Sequence, residues 1–361
     1  MNRIFAFHLL NDYSGSPKVL GQLLKGWVAA QYEVHLHTSA SKPGFLTEIE
    51  GIHLHNNRYR FYNFIPIRLI LLLFSQLFTL LALMPRLKES DIVYVNTILP
   101  FGAAIAGKIR GARVIYHIHE TSVNPLIFKQ FLLFWVKVCA NEVIYVSDFL
   151  ANEEPLNKPS HIMWNAIEDN FMRNAIRNRK PYWKTGRVLM VASLKRYKGV
   201  DEFVDIAKAC PEFNFDLVVN ASVKEIVKYF SNSTLPKNLS VHPAQQNIHP
   251  FYQRADAVMN LSRPEEWKET FGLTALEAMA YGLPVIVPPV GGIAEIVHDC
   301  LTGFHFNGKD TASISHALRA LSTDPILFQN ISRQAIVHAN SFSEQHFLDH
   351  SLGIIEKSLS K

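Results

Sequence analysis

The sequence predicts an α/β protein with two doubly wound, Rossmann-like domains. The chain has 361 residues, more than a single hydrophobic core usually holds. Short apolar strands alternate with amphipathic helices, which is typical of parallel sheets with helical crossovers. A basic, proline-containing stretch, residues 173–184, separates two such series and predicts a linker. We place the domains at 1–168 and 185–343, the linker at 169–184, and a returning helix at 344–361.

Composition narrows the class of protein. Hydrophobic residues make up 48% of the chain and charged residues 19%, as in globular proteins. The net charge of +5 allows attraction to nucleotides or anionic lipid, but the basic residues form no run typical of a nucleic-acid-binding arm. Three cysteines without metal-ligand spacing (Cys139, Cys210 and Cys300) favour a reducing compartment. The N-terminus lacks the long apolar run of a signal peptide, so we interpret it as a first strand.

The elements of the first domain follow in order. An almost continuous apolar strand, Arg3–Leu10, leads into a loop where Ser16 is predicted to cap a helix beginning at Pro17. Strands are then predicted at 33–38, 92–96, 113–119 and 142–146, with helices at 67–87, 101–110 and 126–140 between them.

The second domain continues the same alternation. Strands are predicted at 188–193, 215–220, 240–242, 257–261 and 285–287, with helices at 200–210, 224–230, 250–254 and 271–281. Glycine and proline after residue 281 end the last of these helices.

Two helices of the first domain are unusually apolar. The stretch 69–84 is 16 residues long. It is short for a span of about 20 residues, so we expect a buried or interfacial helix. In the stretch 126–139, Lys129 and Lys137 lie among aromatic and aliphatic residues. Both helices fit packing on the sheet and attachment to anionic lipid equally well.

The stretch 265–295 concentrates polar side chains around the helix at 271–281. Glu269 precedes this helix and Glu277 lies inside it, with no lysine or arginine three or four residues from Glu277. A carboxylate beside an apolar stripe suits ligand hydroxyls, although Glu277 on a solvated face remains the alternative. After the next strand, Gly291 and Gly292 allow backbone N–H groups to approach a phosphate or sugar closely.

Cations and histidines follow other strands. Lys198 precedes a glycine between a strand and a helix, where it suits a diphosphate, although an ordinary solvated loop remains open. Gly15 and Ser16 lie at the carboxyl end of the first strand without a GxGxxG motif, which disfavours a dinucleotide oxidoreductase. His119 ends another strand and opens a loop. Histidines also recur with period two in this chain (His35 with His37, His53 with His55), so His119 as a packing residue remains the alternative.

Residues 269–297, ETFGLTALEAMAYGLPVIVPPVGGIAEIV, resemble the Glu-x7-Glu donor-site signature of retaining GT-B glycosyltransferases of family 4. The resemblance extends through most of the chain. It implies two Rossmann-like domains facing a central cleft and a UDP- or GDP-linked sugar donor as co-substrate, with no other cofactor. It further implies catalytic roles for Glu269 and His119. The implied donor-binding residues are Lys198, Lys195, Arg196, Glu277, Phe271, Gly272, Leu273, Thr274, Gly291, Gly292, Gly15 and Ser16.

The chain departs from the family pattern at two places. Ala192-Ser193 stand where the family commonly has Gly-Arg, so Lys195 or Arg196 is expected to supply the second cation. In residues 164–171, WNAIEDNF, Ala166 replaces the glycine of the family's Asn-Gly loop. No Asp-x-Asp motif marks a divalent-metal site, so we expect metal-independent chemistry.

The expected activity is transfer of a sugar, with retention, to a lipid-linked glycan in polysaccharide, lipopolysaccharide or O-antigen synthesis. The expected location is cytoplasmic, peripheral on the inner face of the plasma membrane, with no nucleic-acid partner. Two alternatives stay open: a sugar-nucleotide epimerase of related fold, and a catalytically silent subunit that binds an active transferase.

Overall fold

A computed structural model describes residues 2–39, 43–57, 59–62, 64–179, 183 and 186–360. The chain divides into two compact units. The first unit comprises Met1–Ala166 with Glu344–Lys361, and the second comprises Ile167–Ser343.

The first unit contains a seven-stranded parallel sheet. Its strand order is β3-β2-β1-β4-β5-β6-β7. The elements are β1 (Arg3–Leu10), α1 (Gly15–Ala29), β2 (Glu33–Ser39), β3 (Ile52–Asn56), α2 (Ile65–Leu83), β4 (Ile92–Asn96), α3 (Phe101–Ile109), β5 (Arg113–Ile118), α4 (Leu126–Cys139), β6 (Glu142–Tyr145), α5 (Asp148–Glu153) and β7 (Ser160–Ile162). Strands β1, β4 and β5 are almost entirely buried, as expected for parallel strands covered on both faces.

The second unit contains a six-stranded parallel sheet. Its order is β10-β9-β8-β11-β12-β13. The elements are α6 (Asp169–Arg177), β8 (Arg187–Ala192), a 3₁₀ turn (Arg196–Lys198), α7 (Val200–Ala209), β9 (Asn214–Val219), α8 (Val223–Tyr229), β10 (Leu239–His242), α9 (His249–Arg254), β11 (Ala257–Met259), α10 (Leu273–Ala280), β12 (Val285–Val287), α11 (Gly292–Ile296), β13 (Gly303–His305), α12 (Thr311–Thr323) and α13 (Pro325–Ala339).

The last helix, α14 (Glu344–Leu359), belongs to the first unit. It packs on α1, where the indole Nε1 of Trp27 donates a hydrogen bond to Ser351 Oγ at 3.0 Å. A Cβ on Gly26 would come within 2.5 Å of the Leu348 side chain. The absence of a side chain at that position therefore allows the close approach of the two helices.

Both sheets reverse their winding at one point. In the first unit β1 lies between β2 and β4, and in the second unit β8 lies between β9 and β11. Doubly wound sheets bind ligands outside the carboxyl ends of the strands at such a switch point. The predicted pair of doubly wound, Rossmann-like units is confirmed, and the two switch points show where to look for ligand-binding residues.

Several details differ from the sequence predictions. Ser14, not Ser16, is the N-cap of α1, and its side chain makes no capping hydrogen bond. Residues 169–177 form helix α6 instead of a linker, because Phe171 and Ala175 lie one turn apart and are both buried. The remaining predicted linker includes 180–182 and 184, which lie outside the described residues. Strand β3 was not predicted because its pattern is polar and half exposed, as at a sheet edge.

Candidate active site

Polar side chains of the second unit gather at the carboxyl ends of three neighbouring strands. Lys198 follows β8, Asn260 and Ser262 follow β11, and Gly291 follows β12. Because β8, β11 and β12 are adjacent in the sheet, their carboxyl ends meet on one edge. Glu269 lies among these residues, so the sheet brings the predicted cation and the first predicted glutamate together.

The carboxylate of Glu269 is held by three donors. Its Oε1 accepts hydrogen bonds from Lys198 Nζ at 2.6 Å, Ser262 Oγ at 2.6 Å and Asn260 Nδ2 at 3.2 Å. Within the described part of the chain no side chain hydrogen-bonds the second oxygen, Oε2. Glu269 is therefore oriented through one oxygen and can offer the other to a ligand.

The charge of Glu269 is set by two opposed effects. Burial raises the pKa of this carboxyl, but the positive charge of Lys198 and the hydrogen bonds from Lys198, Ser262 and Asn260 outweigh burial and lower it. Glu269 is therefore ionised at neutral pH, and its pair with Lys198 is a genuine ion pair. Burial and the Glu269 charge together raise the pKa of the nearby Tyr197 hydroxyl.

Lys198 also lies over an aromatic ring. Its Nζ is 4.6 Å from the ring centroid of Trp267, a cation–π geometry. Tyr197 stacks on Trp267 with ring centroids 5.1 Å apart, and Arg263 N donates to Tyr197 O at 2.8 Å. These contacts hold the segment before Glu269 against the 3₁₀ turn that carries Lys198. Together they fix the position of the Lys198 ammonium group.

Two glycines are required for this arrangement. Gly199 has φ +78°, and a Cβ there would lie 2.1 Å from Leu261 O. Gly291 has φ +107°, and a Cβ there would lie 2.7 Å from Glu269 O, which accepts a 2.7 Å hydrogen bond from Gly292 N. Any side chain at either position would clash with backbone, so the loops after β8 and β12 can close around Glu269 only with glycine.

The N-terminus of α10 provides backbone donors. Gly272 caps it in the left-handed region, and the N–H groups of Leu273 and Thr274 belong to the first turn, where helical partners are missing. Phe271 differs from its neighbours, because its side chain is buried against Phe342 with ring centroids 6.1 Å apart. A donor-binding role for Phe271 would therefore have to use its backbone.

Glu277 is buried, and not part of a solvated helix face. Its Oε2 accepts a 2.8 Å hydrogen bond from the hydroxyl of Tyr252, a residue with no exposed surface. Burial, followed by the charge of Glu277, raises the pKa of Tyr252 well above its usual range, so the phenol remains a donor. Glu277 is thus positioned by a fixed partner, as a residue that receives ligand hydroxyls should be.

The two other predicted cations are solvent-exposed. Lys195 and Arg196 both lie at the surface of the loop after β8, and Arg196 Nε is 3.3 Å from Asp201. Neither is held in the way Lys198 is held. Which of them serves as the second cation stays a prediction.

The first unit has a different cluster at its own switch point. Asn96, the last residue of β4, joins three elements: His119 Nε2 lies 2.9 Å from Asn96 Oδ1, and Asn96 Nδ2 lies 3.0 Å from His8 Nδ1 and 3.2 Å from Ser16 O. His119 directly follows β5. The predicted residues Ser16 and His119 are therefore linked through one amide, while Gly15 is exposed at the start of α1.

The imidazoles of this cluster are neutral. Burial lowers the pKa of His8 to about 4 and that of the adjoining His117 to about 3. Burial, together with repulsion from His117 and His8, lowers the pKa of His119 well below its usual range. Burial also raises the pKa of Glu120 to about 7, against opposing hydrogen bonds. His119 can therefore act as a neutral hydrogen-bonding group but not as a resident cation.

Several residues of these clusters were not predicted from the sequence. They are Asn96, His8, Asn260, Ser262, Tyr252, Tyr197 and Trp267. A usable signal exists for the two asparagines: Asn96 ends the apolar strand β4 and Asn260 directly follows the apolar strand β11, both at the carboxyl ends where such sheets bind ligands. Tyr252 and Trp267 carry no such signal, since their partners are distant in sequence.

Family comparisons cover most of the chain. Residues 13–153 match Glycosyltransferase Family 4, and residues 172–338 match Glycosyl transferases group 1. Among curated proteins, the chain is 25% identical over 346 residues to N-acetyl-alpha-D-glucosaminyl L-malate synthase of Bacillus anthracis, covering 89% of this chain and 88% of that protein. It is 42% identical over 98 residues to D-inositol 3-phosphate glycosyltransferase of Streptomyces avermitilis, covering 27% of this chain and 20% of that protein.

Solved structures share the architecture. HepE of Anabaena, in complex with UDP-glucose, has a TM-score of 0.79 at 17% identity and matches 98% of this chain and 99% of its own. Sucrose-phosphate synthase of Thermosynechococcus elongatus has a TM-score of 0.80 at 14% identity over the whole of both chains. With the family matches, these likenesses identify the fold as GT-B. The chain carries a family 4 glycosyltransferase domain followed by a group 1 glycosyl transferase domain, and it is a glycosyltransferase.

Proposed function

We propose that this glycosyltransferase moves a sugar, with retention, from a nucleotide diphosphate to a lipid-linked glycan, and that it works attached to the cytoplasmic face of the membrane. The observation that carries the membrane and lipid part of the proposal is helix α2. It exposes most of its apolar residues, apart from the buried Leu72 and Leu83, while three of its polar residues are buried. The donor part rests on the cluster around Glu269.

In the donor site, positively charged groups bind the diphosphate and carboxylates bind the sugar hydroxyls. Lys198, a second cation from Lys195 or Arg196, and the N-terminus of α10 stabilise the leaving diphosphate without a divalent metal. Glu277 binds the ribose and Glu269 the donor sugar. The bound UDP-glucose of Anabaena HepE supports a nucleotide sugar as ligand.

The reaction replaces one bond at the anomeric carbon. The bond from that carbon to the diphosphate oxygen breaks, and a bond to the acceptor oxygen forms on the same face. The departing phosphate oxygen takes the proton of the acceptor hydroxyl. His119, held neutral, donates or accepts a hydrogen bond near the sugar and does not add charge.

Helix α2 has an inverted distribution of polarity. Its described buried residues include Ser75, Gln76 and Thr79, while Phe74 is 66% and Leu81 62% exposed. Further exposed apolar residues of this helix are Ile65, Ile67, Ile70, Leu73, Leu77 and Phe78. A water-facing helix normally has the opposite arrangement, and a patch of this kind marks a membrane or partner surface.

The inward polar residues have partners in the fold. Gln76 Oε1 accepts a 3.1 Å hydrogen bond from Gly102 N of α3, and Thr79 Oγ1 donates to Ser75 O at 2.9 Å. By length and composition α2 could also cross a membrane. Its most apolar 18-residue segment has a mean hydropathy of 2.0, and 22% of that segment is buried. Because its polar side is bonded within the unit, we favour a helix lying in the interface.

Helix α4 of the same unit also carries exposed apolar residues. It packs on α3 through Phe101, which contacts Phe131 and Trp135, and it exposes Ile127 and Phe134. The expected basic contribution is smaller than the sequence indicated. Lys129 is paired with the buried Glu154, so of the two lysines only Lys137 is exposed for anionic lipid. The attachment should therefore depend more on apolar burial than on charge.

A soluble acceptor is the second candidate. Two relatives are named for L-malate and for D-inositol 3-phosphate, neither of which is a lipid-linked glycan. The outward apolar surface of α2 has no role in that case. The epimerase alternative is separated by product analysis with and without acceptor, since an epimerase needs none.

The test combines flotation with an acceptor assay. The full chain is mixed with neutral or anionic liposomes at low and high salt, and floated fractions are extracted with carbonate to distinguish peripheral attachment from a span. The key variant, Phe74→Gln with Leu81→Gln, removes the two most exposed apolar residues of α2. The matched control, Ile326→Gln with Val337→Gln, changes comparably exposed apolar residues of α13 in the second unit.

We expect the wild type and the α13 control to float and the α2 variant to remain soluble, with transfer to a polyprenyl-diphosphate-linked sugar lost in parallel. A wild-type chain that stays soluble with every liposome, and that glycosylates L-malate as fast as the lipid-linked sugar, would overturn the membrane and lipid part. The donor part is tested separately, by thermal shift with UDP-, GDP- and dTDP-sugars, since a true donor stabilises the folded state.

A further inference from the structure

The histidines of β2 and β3 form a ladder that the transferase reaction does not use. In the parallel register His35 pairs with His53 and His37 pairs with His55, so all four lie on one face of the sheet. Their rings are close: the centroids of His35 and His53 are 4.8 Å apart, and those of His37 and His55 are 4.4 Å apart. Four imidazoles on the edge strand β3 and its neighbour β2 are an unusual concentration of metal ligands.

Glu33 completes a possible ligand set. One ligand atom each of Glu33, His35 and His53 lies within 4.8 Å of the others, and His35 Nε2 is 2.9 Å from Glu33 Oε1. Tetrahedral zinc with bonds of about 2.0 to 2.1 Å separates its ligand atoms by about 3.3 Å. His53 is exposed and its ring stacks on His35, so metal binding would need a small rotation of the His53 side chain to bring its nitrogen to that spacing.

We propose that Glu33, His35 and His53 bind one divalent transition-metal ion of the zinc class, with water in the fourth position. The ligands come from the amino-terminal part of β2 and β3, whereas His8, Asn96 and His119 lie at the carboxyl ends of their strands. The ion would therefore be structural and would tie the exposed edge strand β3 to β2. This proposal does not depend on the proposed function.

The hydrogen bonds around His35 suit either a proton or a metal ion between His35 and Glu33. Without metal, Nε2–H of His35 donates to Glu33 and Nδ1 accepts from His55, whose Nε2 is 3.1 Å away. With metal, Nε2 becomes the ligand atom, and the remaining proton on Nδ1 is donated to His55. A histidine that orients a ligating histidine in this way is a common feature of metal sites.

No neighbouring cation occupies the carboxylate of Glu33 in the described structure. Arg3 is the nearest candidate, since it lies opposite Glu33 in the parallel register of β1 and β2. Its guanidinium instead makes two hydrogen bonds to Asp91, at 2.8 and 2.6 Å. The carboxylate is thus open to the ion.

The experiment uses the full chain after removal of any polyhistidine tag and chelation of bound metal. Zn²⁺ binding is measured by calorimetry, Co²⁺ binding by its visible absorption, which is intense for tetrahedral sites, and Mg²⁺ serves as the comparison ion. The variants are His53→Ala and Glu33→Gln. The matched control is His346→Ala, because exposed His346 forms a histidine pair with half-buried His350 on α14, with centroids 6.3 Å apart.

We expect one Zn²⁺ or Co²⁺ per wild-type chain and none of Mg²⁺, with affinity at least about tenfold weaker in both site variants and unchanged in His346→Ala. Zinc should raise the melting temperature of the wild type but not of His53→Ala. Wild-type affinity in His53→Ala, or loss of binding in His346→Ala alone, would overturn the proposal. Transferase activity of His53→Ala is expected to equal that of the wild type.

Discussion

Buried polar groups stay charged at one switch point of this glycosyltransferase and are neutral at the other. In the second unit Lys198 and Glu269 stay charged, because each supplies the countercharge of the other at 2.6 Å. In the first unit His8 and His119 both hydrogen-bond to Asn96, and burial lowers the pKa of both imidazoles so that they are neutral. Burial disfavours the charged form of the side chains at both sites. The groups therefore stay charged only where a countercharge is present.

This difference indicates how a transferase of this kind can divide its chemistry. A diphosphate develops negative charge as it leaves, so the unit that meets it needs a permanent cation. An acceptor hydroxyl needs orientation, which neutral hydrogen bonds provide without the desolvation cost of a buried charge. The predictions below test this contrast between a charged and a neutral site, starting with the largest expected effect.

Removal of the Lys198 charge should have the largest effect. Lys198→Met keeps most of the side-chain volume but removes the ammonium group. We expect a loss of about 2 to 4 kcal/mol of transition-state stabilisation, so that kcat/KM falls roughly 30- to 10³-fold. The same substitution at Lys208, an exposed residue paired with Asp205, is the matched control and should change little. Steady-state kinetics with the stabilising nucleotide sugar provide the measurement.

Lys195→Ala and Arg196→Ala extend this test to the missing family arginine. The variant with the larger loss of kcat/KM identifies the second cation. Wild-type rates in all three single variants would mean that the diphosphate binds elsewhere in the chain.

The two glutamates of the second unit should affect different quantities, with Glu277 acting on donor affinity and Glu269 on kcat. Glu277→Gln keeps the shape but would weaken the charged hydrogen bond that we propose to the ribose, so we expect donor affinity to fall by about 1.5 to 3 kcal/mol. Glu269→Gln should lower kcat and leave donor affinity closer to the wild type, because its contact strengthens as charge develops on the sugar. Donor Kd and kcat for both variants decide this, and equal changes in both quantities for both residues would contradict the separation.

The sequence was sufficient for the fold and for the two charged residues of the second unit's site, but not for Asn260 and Ser262 beside them. Alternation of apolar runs with helical stripes depends only on local periodicity. Periodicity also locates the helix that contains Glu277 and the strand and helix ends near Lys198 and Glu269. The structure placed Glu269 and Lys198 in contact although 71 positions separate them. The family resemblance supplied their expected roles, which remain predictions.

The neutral site was much harder to predict. Asn96 contacts both His8 and His119 because β4 lies between β1 and β5 in the sheet. Local sequence patterns do not reveal this strand order. The inverted polarity of α2 was hidden for a similar reason: its composition is apolar all round, and only packing on α3 decides that Gln76 faces inward. Strand neighbours and helix faces are tertiary facts, and single-sequence periodicity does not contain them.

The neutral histidines should make the first unit sensitive to acid. The folded pKa values of His8, His37 and His117, about 4, 3 and 3, lie below the unfolded value of 6.5. The unfolded chain therefore binds more protons below pH 6.5, so stability is complete above that pH and falls as the pH drops towards 4. At pH 5.5 each histidine should cost on the order of 1 kcal/mol.

Hydrogen exchange of the full chain, corrected for intrinsic rates, measures this at pH 7.5 and 5.5. Peptides of β1, β4 and β5 should lose protection more than those of β8 and β11, because Glu269 in the second unit has a lowered pKa and keeps its ion pair over this range. His8→Asn, which cannot take up a proton, should reduce the acid effect in the first unit. Equal loss in both units, or no change in His8→Asn, would contradict the contrast.

The smallest effect concerns Trp267, which supports the charged site without a charge of its own. Its ring lies 4.6 Å from Lys198 Nζ and stacks on Tyr197, and its Nε1 is buried without a hydrogen-bond partner in the described structure. Trp267→Leu should cost about 0.5 to 1 kcal/mol in kcat/KM, roughly two- to fivefold, because the ammonium loses its aromatic face. Trp267→Phe keeps a ring and should recover much of this loss. If Trp267→Phe is as poor as Trp267→Leu, the indole N–H and not the ring face is the important group, and the buried Nε1 is then a donor to the bound ligand. Full activity in both variants would show that the ion pair with Glu269 is sufficient to hold Lys198.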